Sequence, residues 1–522
     1  MAQFKNALVS VSDKTGLIEF IKPLAQKGMR VVSTGGTAKF LEENGIKVVQ
    51  ISEQTGFPEV MDGRVKTLHP NVHMALLARK DEADDLAILK KHNLEPFDLV
   101  VGNLYPFESK PDIENIDIGG PSFLRSASKS FDRIAVVVDP QDYAKIAASA
   151  ELTLDDRKLL AAKVFAHTSA YDSMITAWLE PDFAKKRDQS VGGKFQSELR
   201  YGENPQQKAV WYRQAGVTQG LHQAKILQGK ELSYNNLLDL TAAVQTLRRI
   251  TTAASSLAAN SQSGNQSSAA ACVAVKHNNP CGIAVASSIA EATKLAIEAD
   301  PVSVFGGILA LSQPVDDKSA EILSALFLEC VVAPSFTPAA QSIFAKKKNL
   351  RLLEWSEMLK PSEQALYRQI DGGFLMQTPD DVASKLDSAW TVVGEKPSPE
   401  IEKDLIFAWN TVAHLKSNAI AITLNQQTLG LGMGQVNRVD AVQHALDRMT
   451  QAHGERIKSH QTKVVLASDA FFPFPDSIEK IAKAGVKWVI QPGGSVNDES
   501  VLKAAREFGV NMVLTGRRHF LH

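Results

Sequence analysis

The stretch Ala271–Gly282, ACVAVKHNNPCG, carries a buried-strand pattern that ends in two titratable side chains. Its run of Ala and Val predicts a core strand, and the Asn, Pro and Gly residues that follow predict a turn. Lys276 and His277 lie where the predicted strand meets the turn, a position where binding and catalytic groups are common in α/β folds. Neighbouring residues of a regular strand face opposite sides, so both side chains can share a pocket only if the strand ends at this pair. We expect the turn at Asn278-Asn279-Pro280. The alternative is a surface lysine beside a histidine that caps a turn.

The bulk composition is that of an ordinary globular protein. The chain has 522 residues, of which 44% are hydrophobic and 22% charged, with a formal net charge of -1. This balance excludes a broad basic field for nucleic acid or an anionic membrane, so we expect small-molecule partners. The three cysteines, Cys272, Cys281 and Cys330, form no disulfide framework and indicate a reducing compartment. Met1–Ser12 lacks a signal-peptide pattern and no apolar run reaches membrane-spanning length, so we predict a cytoplasmic protein.

Strand-like and helical patterns alternate through the first 150 or so residues, a stretch of domain length. Short apolar runs predict strands at Ala7–Val11, Met29–Ser33, Lys47–Ile51, Leu99–Leu104 and Ile134–Val138. Helical patterns at Thr15–Lys27 and Thr37–Glu43 separate some of them. The alternation predicts an α/β domain with a mostly parallel sheet, whose ligands bind beyond the carboxyl ends of the strands.

Hydroxyl and glycine residues follow the first two predicted strands. The first strand runs into Ser10-Val-Ser12-Asp-Lys14-Thr15, and the second into Ser33-Thr34-Gly35-Gly36-Thr37. Hydroxyls, backbone N–H groups freed by glycine and a helix N-terminus form a phosphate cradle, to which Lys14 adds charge. The alternative is a pair of ordinary turns with Ser and Thr caps, but two such loops together favour phosphate. Neither loop has the spacing of the nucleoside triphosphatase motif G-x-x-x-x-G-K-[ST] or of the dinucleotide-binding motif G-x-G-x-x-G.

Cationic and acidic residues cluster at the later strand ends of the same domain. Gly63-Arg64-Val-Lys66-Thr67 comes first, Asn103-Leu-Tyr105 follows a strand, and Asp117-Ile-Gly119-Gly120-Pro121 opens a predicted helix. That helix carries Arg125 and Lys129 on one face. The charges could simply be solvated, but a carboxylate, a phenol and several cations at one sheet edge favour an acid–base site.

A long helix and a linker separate the first unit from a second one. Asp155–Glu180 predicts one long amphipathic helix, and the polar segment Pro181–Lys194 predicts a linker. The segment Thr251–Ala271 is rich in Ala, Ser, Asn and Gln, and we expect a mobile surface loop there.

Two further segments of the second unit are candidates for ligand binding. Gly430–Arg438 is glycine-rich without dinucleotide spacing, and Arg438 is a candidate anion clamp. Ala470–Asp476 sets three aromatic residues in a Pro-rich loop, which either plugs the core or forms a platform for a flat heteroaromatic ring.

Metal and covalent chemistry find little support. Cys272, His277 and Cys281 are close in sequence, but the zinc-deaminase signature requires H-x-E and P-C-x-x-C. Asn279 and Ala284 stand where the Glu and the second Cys would be. The chain also lacks a G-x-S-x-G nucleophile motif. We therefore predict non-covalent acid–base chemistry with no catalytic metal.

The motifs closely resemble those of the AICAR formyltransferase/IMP cyclohydrolase family of purine biosynthesis, where AICAR is 5-aminoimidazole-4-carboxamide ribonucleotide. The resemblance runs essentially end to end. The motifs occur in the family's order: SVSDKTG, STGGTAK, GRVKTLHP, NLYPF, DIGG, RYGENP, KHNNPCG, VFGG, KSN, SDAFFPF, PGGS and an Arg-rich terminus.

This resemblance implies two activities on two domains. Residues 1–197 would form the IMP cyclohydrolase domain, with a methylglyoxal-synthase-like parallel-sheet core at 1–148 and a helical connection at 149–197. Residues 198–522 would form the formyltransferase domain, with two cytidine-deaminase-like subdomains. The cosubstrate would be 10-formyltetrahydrofolate, the other substrates AICAR and formyl-AICAR, and the assembly a homodimer. A methylglyoxal-synthase-like lyase and a catalytically inactive nucleotide-binding regulator are the alternatives.

The resemblance also assigns residues to the transferase. His277 would be the base and Lys276 the acid or oxyanion stabiliser. The nucleotide would be held by Arg200, Tyr201, Asn236, Gly306, Glu329, Asn418, Arg438 and Arg518. The folate would lie near Phe471 through Asp476, with Ser495. Glu329 stands where vertebrate members of the family have Asp, so its contact has a longer reach.

For the cyclohydrolase, the resemblance implies a phosphate site and a group of proton-transfer residues. The phosphate would be bound by Ser12, Lys14, Ser33, Thr34, Gly36 and Thr37. The formyl oxygen would be bound by Arg64, Lys66 and Thr67. Protons around the amide would be managed by Tyr105, Asp117 and Lys129.

Overall fold

The computed structural model describes residues 4–185, 188–259, 269–361 and 364–522. The chain forms two compact units. Unit 1 comprises the residues up to Gln196 together with Tyr212–Thr218, and unit 2 comprises Ser197–Trp211 and Gln219–His522. No helix within the described ranges is both long and apolar enough to cross a membrane.

Unit 1 is built on a five-stranded parallel sheet of order β3-β2-β1-β4-β5. This confirms the predicted α/β fold with a parallel sheet, and each strand overlaps its predicted segment. The strands are β1 Asn6–Ser10, β2 Arg30–Ser33, β3 Val49–Gln50, β4 Leu99–Gly102 and β5 Ala135–Val137.

Helices cover both faces of this sheet, because the strand residues alternate between two apolar cores. Leu8 and Val100 face one core, whereas Ala7 and Val101 face the other. The helices are α1 Leu17–Gln26, α2 Gly35–Glu43, α3 Ile51–Thr55, α4 Pro70–Leu77, α5 Ala83–Lys91, α6 Gly119–Lys129, α7 Tyr143–Ala148 and α8 Leu154–Leu179. The last is the predicted long helix, and its N-terminus is fixed by a capping box between Thr153 and Asp156.

Glu108 fastens the returning segment 212–218 to the body of unit 1. Its carboxylate accepts hydrogen bonds from Arg213 at 2.7 and 2.9 Å, from Lys194 at 2.5 Å and from the Gly216 N–H at 3.1 Å. Burial alone would raise the pKa of Glu108, but these donors outweigh it and lower the pKa to about 2.

Unit 2 contains a twelve-stranded mixed sheet of order β16-β21-β20-β19-β17-β18-β10-β9-β11-β12-β13-β8. Its strands are β8 Lys225–Gln228, β9 Ala270–Lys276, β10 Asn279–Ala286, β11 Ile308–Leu311, β12 Cys330–Ala333, β13 Arg351–Glu354, β16 Thr391–Val393, β17 Ile420–Leu424, β18 Gln427–Gly432, β19 Val465–Ser468, β20 Trp488–Gln491 and β21 Asn511–Leu514. Its helices are α9 Tyr234–Ala259, α10 Ile289–Ala299, α11 Asp317–Ser324, α12 Pro338–Phe344, α13 Pro399–Val412, α14 Arg438–Lys458, α15 Asp476–Lys483 and α16 Asp498–Glu507. Two further two-stranded sheets are separate from it in hydrogen bonding: β14 Leu366–Ile370 with β15 Gly373–Gln377, and β6 Gly193–Leu199 with β7 Ala209–Gln214, whose residues fall partly in unit 1.

The sheet of unit 2 is a structural duplication. Each half runs helix, antiparallel hairpin, helix, and then three parallel strands separated by two helices. The halves meet where β10 pairs antiparallel with β18, at Ala284 and Gln427. A cytidine-deaminase-like character of the two halves stays a prediction.

The duplication extends to single residues. Gly282 is the fourth residue of β10 and Gly430 the fourth of β18. A Cβ on Gly282 would lie 1.9 Å from the Ala296 carbonyl oxygen, and one on Gly430 would lie 2.1 Å from that of Ala445. Each glycine therefore lets the following helix rest its backbone directly on the hairpin.

The predicted surface loop at 251–271 is wrong for its first part. Helix α9 continues to Ala259, and β9 begins at Ala270. Thr251, Thr252 and Ser256 satisfy their hydroxyls on backbone carbonyls within the preceding turn, so these residues tolerate a helix. Residues 260–268 lie outside the described part of the chain.

Candidate active sites

The two predicted phosphate loops of unit 1 are tied together. The Ser10 and Thr34 hydroxyls lie 2.8 Å apart. The Thr37 hydroxyl donates to the Val11 carbonyl at 2.9 Å and accepts from the Val11 N–H at 3.1 Å. Helix α2 begins directly after the extended Thr34, so its first turn opens at the carboxyl end of β2. Two hydroxyl-rich loops and a helix N-terminus are thus assembled at one sheet edge.

Asn103 fixes the first of these loops. Its side-chain oxygen accepts from the Ser12 N–H at 2.6 Å and the Asp13 N–H at 3.0 Å, and its amide donates to the Asp13 carbonyl at 3.0 Å. In the sequence Asn103 stands out only as part of the NLYPF motif. Its position directly after a strand was the available signal.

A cavity of about 530 Å³ opens at this edge, large enough for a nucleotide-sized ligand. It is lined by most of the residues predicted for the cyclohydrolase, namely Ser12, Lys14, Thr34, Gly36, Thr37, Arg64, Lys66, Thr67, Tyr105 and Asp117.

Asp117 is held at the wall of the cavity by the start of α6. The Gly120 N–H donates to its Oδ1 at 2.7 Å, and the Tyr171 hydroxyl accepts from the Asp117 N–H at 2.9 Å. Burial raises the pKa of Asp117, although N–H donors and the charge of Lys66 oppose the change. Burial, together with the charges of Asp117 and Glu59, also raises the pKa of Tyr105. Both groups therefore favour holding a proton, as a general acid requires.

Lys66 lies against the second phosphate loop. A Cβ on Gly35 would be 3.0 Å from its Nζ. The same Nζ lies 3.8 Å from the Glu59 carboxylate, a residue that no sequence motif indicates. Arg64 instead pairs with Glu114 at 2.5 Å, with both side chains about two-thirds exposed.

Two predicted cyclohydrolase residues do not reach the cavity. Ser33 is fully buried and its hydroxyl donates to the Val9 carbonyl at 2.7 Å, so it joins β1 to β2 instead of facing a ligand. Lys129 is the last residue of α6, whereas Asp117 precedes its first residue, so the length of the helix separates them. Lys129 lines a different cleft with Arg125, Lys158 and Phe165.

In unit 2 the strand ends at Lys276, as required for Lys276 and His277 to share a pocket. The turn itself comes one residue earlier than predicted. His277 and Asn278 form it, with φ of 54° and 62°, while Asn279 already pairs with Lys276 and Pro280 with Val275. Two positive φ angles define the tight hairpin turn that matches strand twist. The exposed His277 therefore lies at the tip of a hairpin.

Lys276 and Gly306 belong to one group of contacts. The Lys276 ammonium donates to the Phe305 carbonyl at 2.7 Å. The next residue, Gly306, has φ 71° and donates its N–H to the Phe327 carbonyl at 2.7 Å. Glu329 follows shortly after, and its carboxylate pairs with the buried Arg351 at 2.7 Å.

Asp239 supports the turn from α9. Its Oδ1 accepts from the Asn278 N–H at 2.6 Å. Burial raises the pKa of Asp239, although N–H donors of Asn278 and His277 oppose the change. Ser233 caps the start of α9: its hydroxyl accepts from the Asn236 N–H at 3.1 Å, and Asn236 Oδ1 accepts from the Ser233 N–H at 3.1 Å. Asn236 is buried.

Arg438 is buried rather than open to an anion. Its Nη1 bonds to Asp469, which is fully buried, and to the Ala419 carbonyl at 3.1 Å. Asp469 also accepts from the Ser417 hydroxyl and from the Ala419 N–H at 3.1 Å. Asn418, between them, donates to the Gln435 carbonyl at 2.8 Å. Arg438 thus organises the Asn418 loop, a role that its glycine-rich surroundings did not reveal.

The C-terminal residues lie beside this loop. The Ser417 N–H donates to the Leu521 carbonyl at 2.9 Å, and the Lys416 ammonium to the His522 carbonyl at 2.7 Å. The exposed Arg518 lies 4.7 Å over the Phe520 ring. Arg200 lies over the Tyr201 ring at 5.3 Å, so the predicted pair is adjacent in space as well as in sequence.

The aromatic loop divides between the two roles considered for it. Phe472 is fully buried in the core, whereas Phe471 and Phe474 are exposed. Asn497 donates to the Pro473 carbonyl at 2.9 Å, and its N–H donates to the Ser495 hydroxyl at 3.1 Å. These bonds bring Ser495 next to the loop. Asp476 begins α15 at the end of the same loop.

Comparison with known proteins gives a consistent picture. Residues 127–448 match the family described as AICARFT/IMPCHase bienzyme, and residues 16–122 match the family described as MGS-like domain. A protein of Bacillus mycoides (strain KBAB4) named "Bifunctional purine biosynthesis protein PurH" is 46% identical over 99% of this chain and 100% of its own. One of the same name from Bacillus thuringiensis (strain Al Hakam) is 45% identical over the same shares. A solved structure named "Crystal structure of ForH" is 31% identical over 34% of this chain and 98% of its own, but its TM-score of 0.32 has no bearing on the fold.

Proposed function

The chain belongs to the AICARFT/IMPCHase bienzyme family, and on that premise we propose how its two units divide the work. It is a bifunctional enzyme of purine biosynthesis. It transfers a formyl group from 10-formyltetrahydrofolate to AICAR and then closes formyl-AICAR to IMP with loss of water. The lyase and the inactive regulator considered as alternatives find no support. We assign cyclisation to unit 1 and formyl transfer to unit 2.

The cavity of unit 1 supports the cyclohydrolase assignment. We place the phosphate of formyl-AICAR at Ser12, Lys14, Thr34, Gly36 and Thr37, where hydroxyls and the first turn of α2 meet. The base then extends toward Arg64, Lys66, Thr67, Tyr105 and Asp117. Much of the catalysis is positional, because the formyl carbon and the carboxamide nitrogen belong to one molecule and need only be held together.

Cyclisation requires one new C–N bond and the loss of one water. The carboxamide nitrogen attacks the formyl carbon, and Lys66 with Arg64 stabilises the oxyanion that forms on the formyl oxygen. The attack closes the ring, and the carboxamide nitrogen loses one proton. The formamide nitrogen loses a second proton, the oxygen gains both and leaves as water, and a C=N bond to the formamide nitrogen forms within the ring. Asp117 serves as the proton carrier, because it lies at the cavity wall beside Lys66 and Tyr105 and burial raises its pKa.

Formyl transfer is assigned to the Lys276–His277 turn. The AICAR amine attacks the formyl carbon while His277 accepts the proton that the amine loses. Lys276 stabilises the tetrahedral oxyanion and supplies a proton to the folate nitrogen as its bond to the formyl carbon breaks. Lys276 already donates to a carbonyl oxygen, that of Phe305, which supports its role as a donor.

The remaining predicted contacts complete the transferase proposal. The nucleotide would be held by Arg200, Tyr201, Asn236, Gly306, Glu329, Asn418 and Arg518, with Arg438 acting through the Asn418 loop. The folate would lie against Phe471 and Phe474, near Ser495 and Asp476. A homodimer in the cytoplasm and chemistry without a catalytic metal stay predictions. Within the described ranges, no group of three or more His, Cys, Asp or Glu residues is arranged to hold a metal ion.

The observation that carries the proposal is the separation of the two groups of residues into two units. The test supplies AICAR and 10-formyltetrahydrofolate and follows tetrahydrofolate and IMP separately. We expect His277→Ala to abolish tetrahydrofolate release while added formyl-AICAR is still converted to IMP. We expect Lys66→Ala to stop IMP formation while tetrahydrofolate still appears. Loss of both products in either folded variant would contradict the two-site assignment.

A further inference from the structure

We infer that Asp239 is a positioning residue for formyl transfer, holding the His277–Asn278 turn in the conformation that presents the imidazole. The inference rests on the proposed role of His277 as the base. Asp239 is not among the residues that the sequence motifs pointed to, because it lies in the second turn of α9, 38 residues before His277 in the sequence.

The turn needs external support. His277 and Asn278 both have positive φ, a region that is uncommon for residues other than glycine, although His and Asn enter it more often than most. Such a conformation has an energetic cost that the surrounding groups must offset. A two-residue hairpin turn of this kind prefers Asn-Gly, and neither position here is glycine. His-Asn therefore tolerates the conformation but favours it less than Asn-Gly would.

Asp239 supplies the missing constraint. Its carboxylate accepts the Asn278 N–H at 2.6 Å, a charge-assisted bond to the backbone of the turn itself. The carboxylate is anchored in turn, because α9 is fixed at its start by the reciprocal bonds between Ser233 and Asn236. The amide of Asn279 adds a bond to the His277 carbonyl at 2.8 Å.

The duplicated half repeats this arrangement without the chemistry. Asn425 and Gln426 form the equivalent turn, with φ of 51° and 55°. Asp404 of α13 accepts both of their N–H groups, that of Asn425 at 2.5 Å. Ser398 caps α13 six residues before Asp404, just as Ser233 precedes Asp239 by six. The same clamp thus recurs at a turn with no titratable side chain, so its task is to hold the turn.

The consequence differs between the halves. In the second half a relaxed turn would alter only stability. In the first half it would move the imidazole, and a general base must lie within hydrogen-bond reach of the proton that it removes. Asp239 therefore acts on catalysis through His277 and does not itself touch the substrate.

The experiment compares Asp239→Ala with the matched variant Asp404→Ala in the full-length enzyme. Transfer is measured as tetrahydrofolate release over a range of AICAR concentrations, and folding by the thermal midpoint. We expect Asp239→Ala to lower kcat by about 10²-fold with little change in KM, because a small misplacement of a reacting group has that effect. Asp404→Ala should lower the thermal midpoint and leave kcat of the folded protein within about threefold.

A rescue experiment separates positioning from a general loss of stability. Glycine adopts positive φ without penalty, so Asn278→Gly in the Asp239→Ala protein should restore kcat about tenfold or more. Retention of kcat within about threefold in Asp239→Ala, or a loss that glycine does not restore, overturns the inference. If His277→Ala itself leaves transfer intact, the proposed function fails instead, so the two failures are distinguishable.

Discussion

Replacing Gly120 with alanine should slow cyclisation by about 10²-fold and leave formyl transfer intact. Gly120 lies in the first turn of α6, where its N–H donates to Asp117 Oδ1 at 2.7 Å. A Cβ at this position would lie 2.4 Å from Asp117 Oδ2 and 2.8 Å from a methyl carbon of Leu104. Leu104 is nearly buried, so the carboxylate is the group that must move.

The size of the effect follows from the displacement. Ordinary van der Waals contact begins at 3.4 Å, so the 2.4 Å approach requires Asp117 Oδ2 to retreat by about 1 Å. A 1 Å misplacement of a catalytic group costs about 10²-fold in rate, which corresponds to about 2.7 kcal/mol in the activation free energy. The retreat of the carboxylate would also break its hydrogen bond from the N–H of residue 120. Since that bond is the main contribution that lowers the pKa of Asp117, its loss would raise this pKa further.

The assay is the conversion of added formyl-AICAR to IMP by the purified variant, with tetrahydrofolate release from AICAR as the internal control. Gly454→Ala is a matched substitution, since Gly454 also lies in a helix and a Cβ there would meet nothing within 4 Å. It should leave both activities unchanged. Alanine favours helix by about 1 kcal/mol over glycine, so folding of the Gly120 variant should not suffer for lack of helix propensity. Cyclisation within about threefold of wild type would refute the role of Asp117, as would a parallel fall in formyl transfer.

Three further predictions concern stability and reactivity. Glu108→Gln should destabilise unit 1 by about 2 kcal/mol at neutral pH, because Lys194 and Arg213 lose their partner. In the wild type this stabilisation is present above pH 4.5 and is lost as the pH falls toward 2. Denaturant unfolding of the variant should therefore lack this fall in the free energy of unfolding at acid pH. Burial raises the pKa of Asp404 from 3.8 to about 6, so the dependence of stability on pH has the opposite sign. The free energy of unfolding should be highest below about pH 4 and fall by about 3 kcal/mol as the pH rises through 6. Asp404→Asn should remove this pH dependence, and an unchanged dependence would contradict the raised pKa. Burial raises the pKa of the thiols of Cys272, Cys281 and Cys330 to about 12. An aromatic disulfide reagent at pH 8 should therefore label the native protein far more slowly than the denatured one. Rapid labelling of the native protein would contradict the burial of these thiols.

Local pattern was sufficient for the strands and loops of the first unit. Each strand of the parallel sheet is a short apolar run flanked by turn residues, and the phosphate loops follow directly from the strand ends. The same reasoning placed the end of β9 at Lys276, but the turn lies at His277 and Asn278, and the segment Asn279–Gly282 already belongs to β10.

Tertiary contacts decided what the pattern could not. Asn103 and Asp239 act on segments 90 and 39 residues away, and no local signal reports such a partner. Ser33 failed as a ligand-facing residue because the last side chain of β2 happens to point at β1. Arg438 was expected to be open, whereas the buried Asp469 satisfies its charge. Lys129 is the last residue of α6, whereas the Asp117 site lies at the start of that helix.

The contact at Gly282 limits which parts of unit 2 can move during turnover. With the backbone of α10 resting directly on β10, the hairpin and helix behave as one rigid body. Within this hairpin and helix, adjustment to a substrate is then left to the side chains. The Lys276 ammonium can leave the Phe305 carbonyl by rotating about its own stem, while the His277 backbone stays fixed. The lysine is therefore the adjustable member of the pair and the histidine the stationary one.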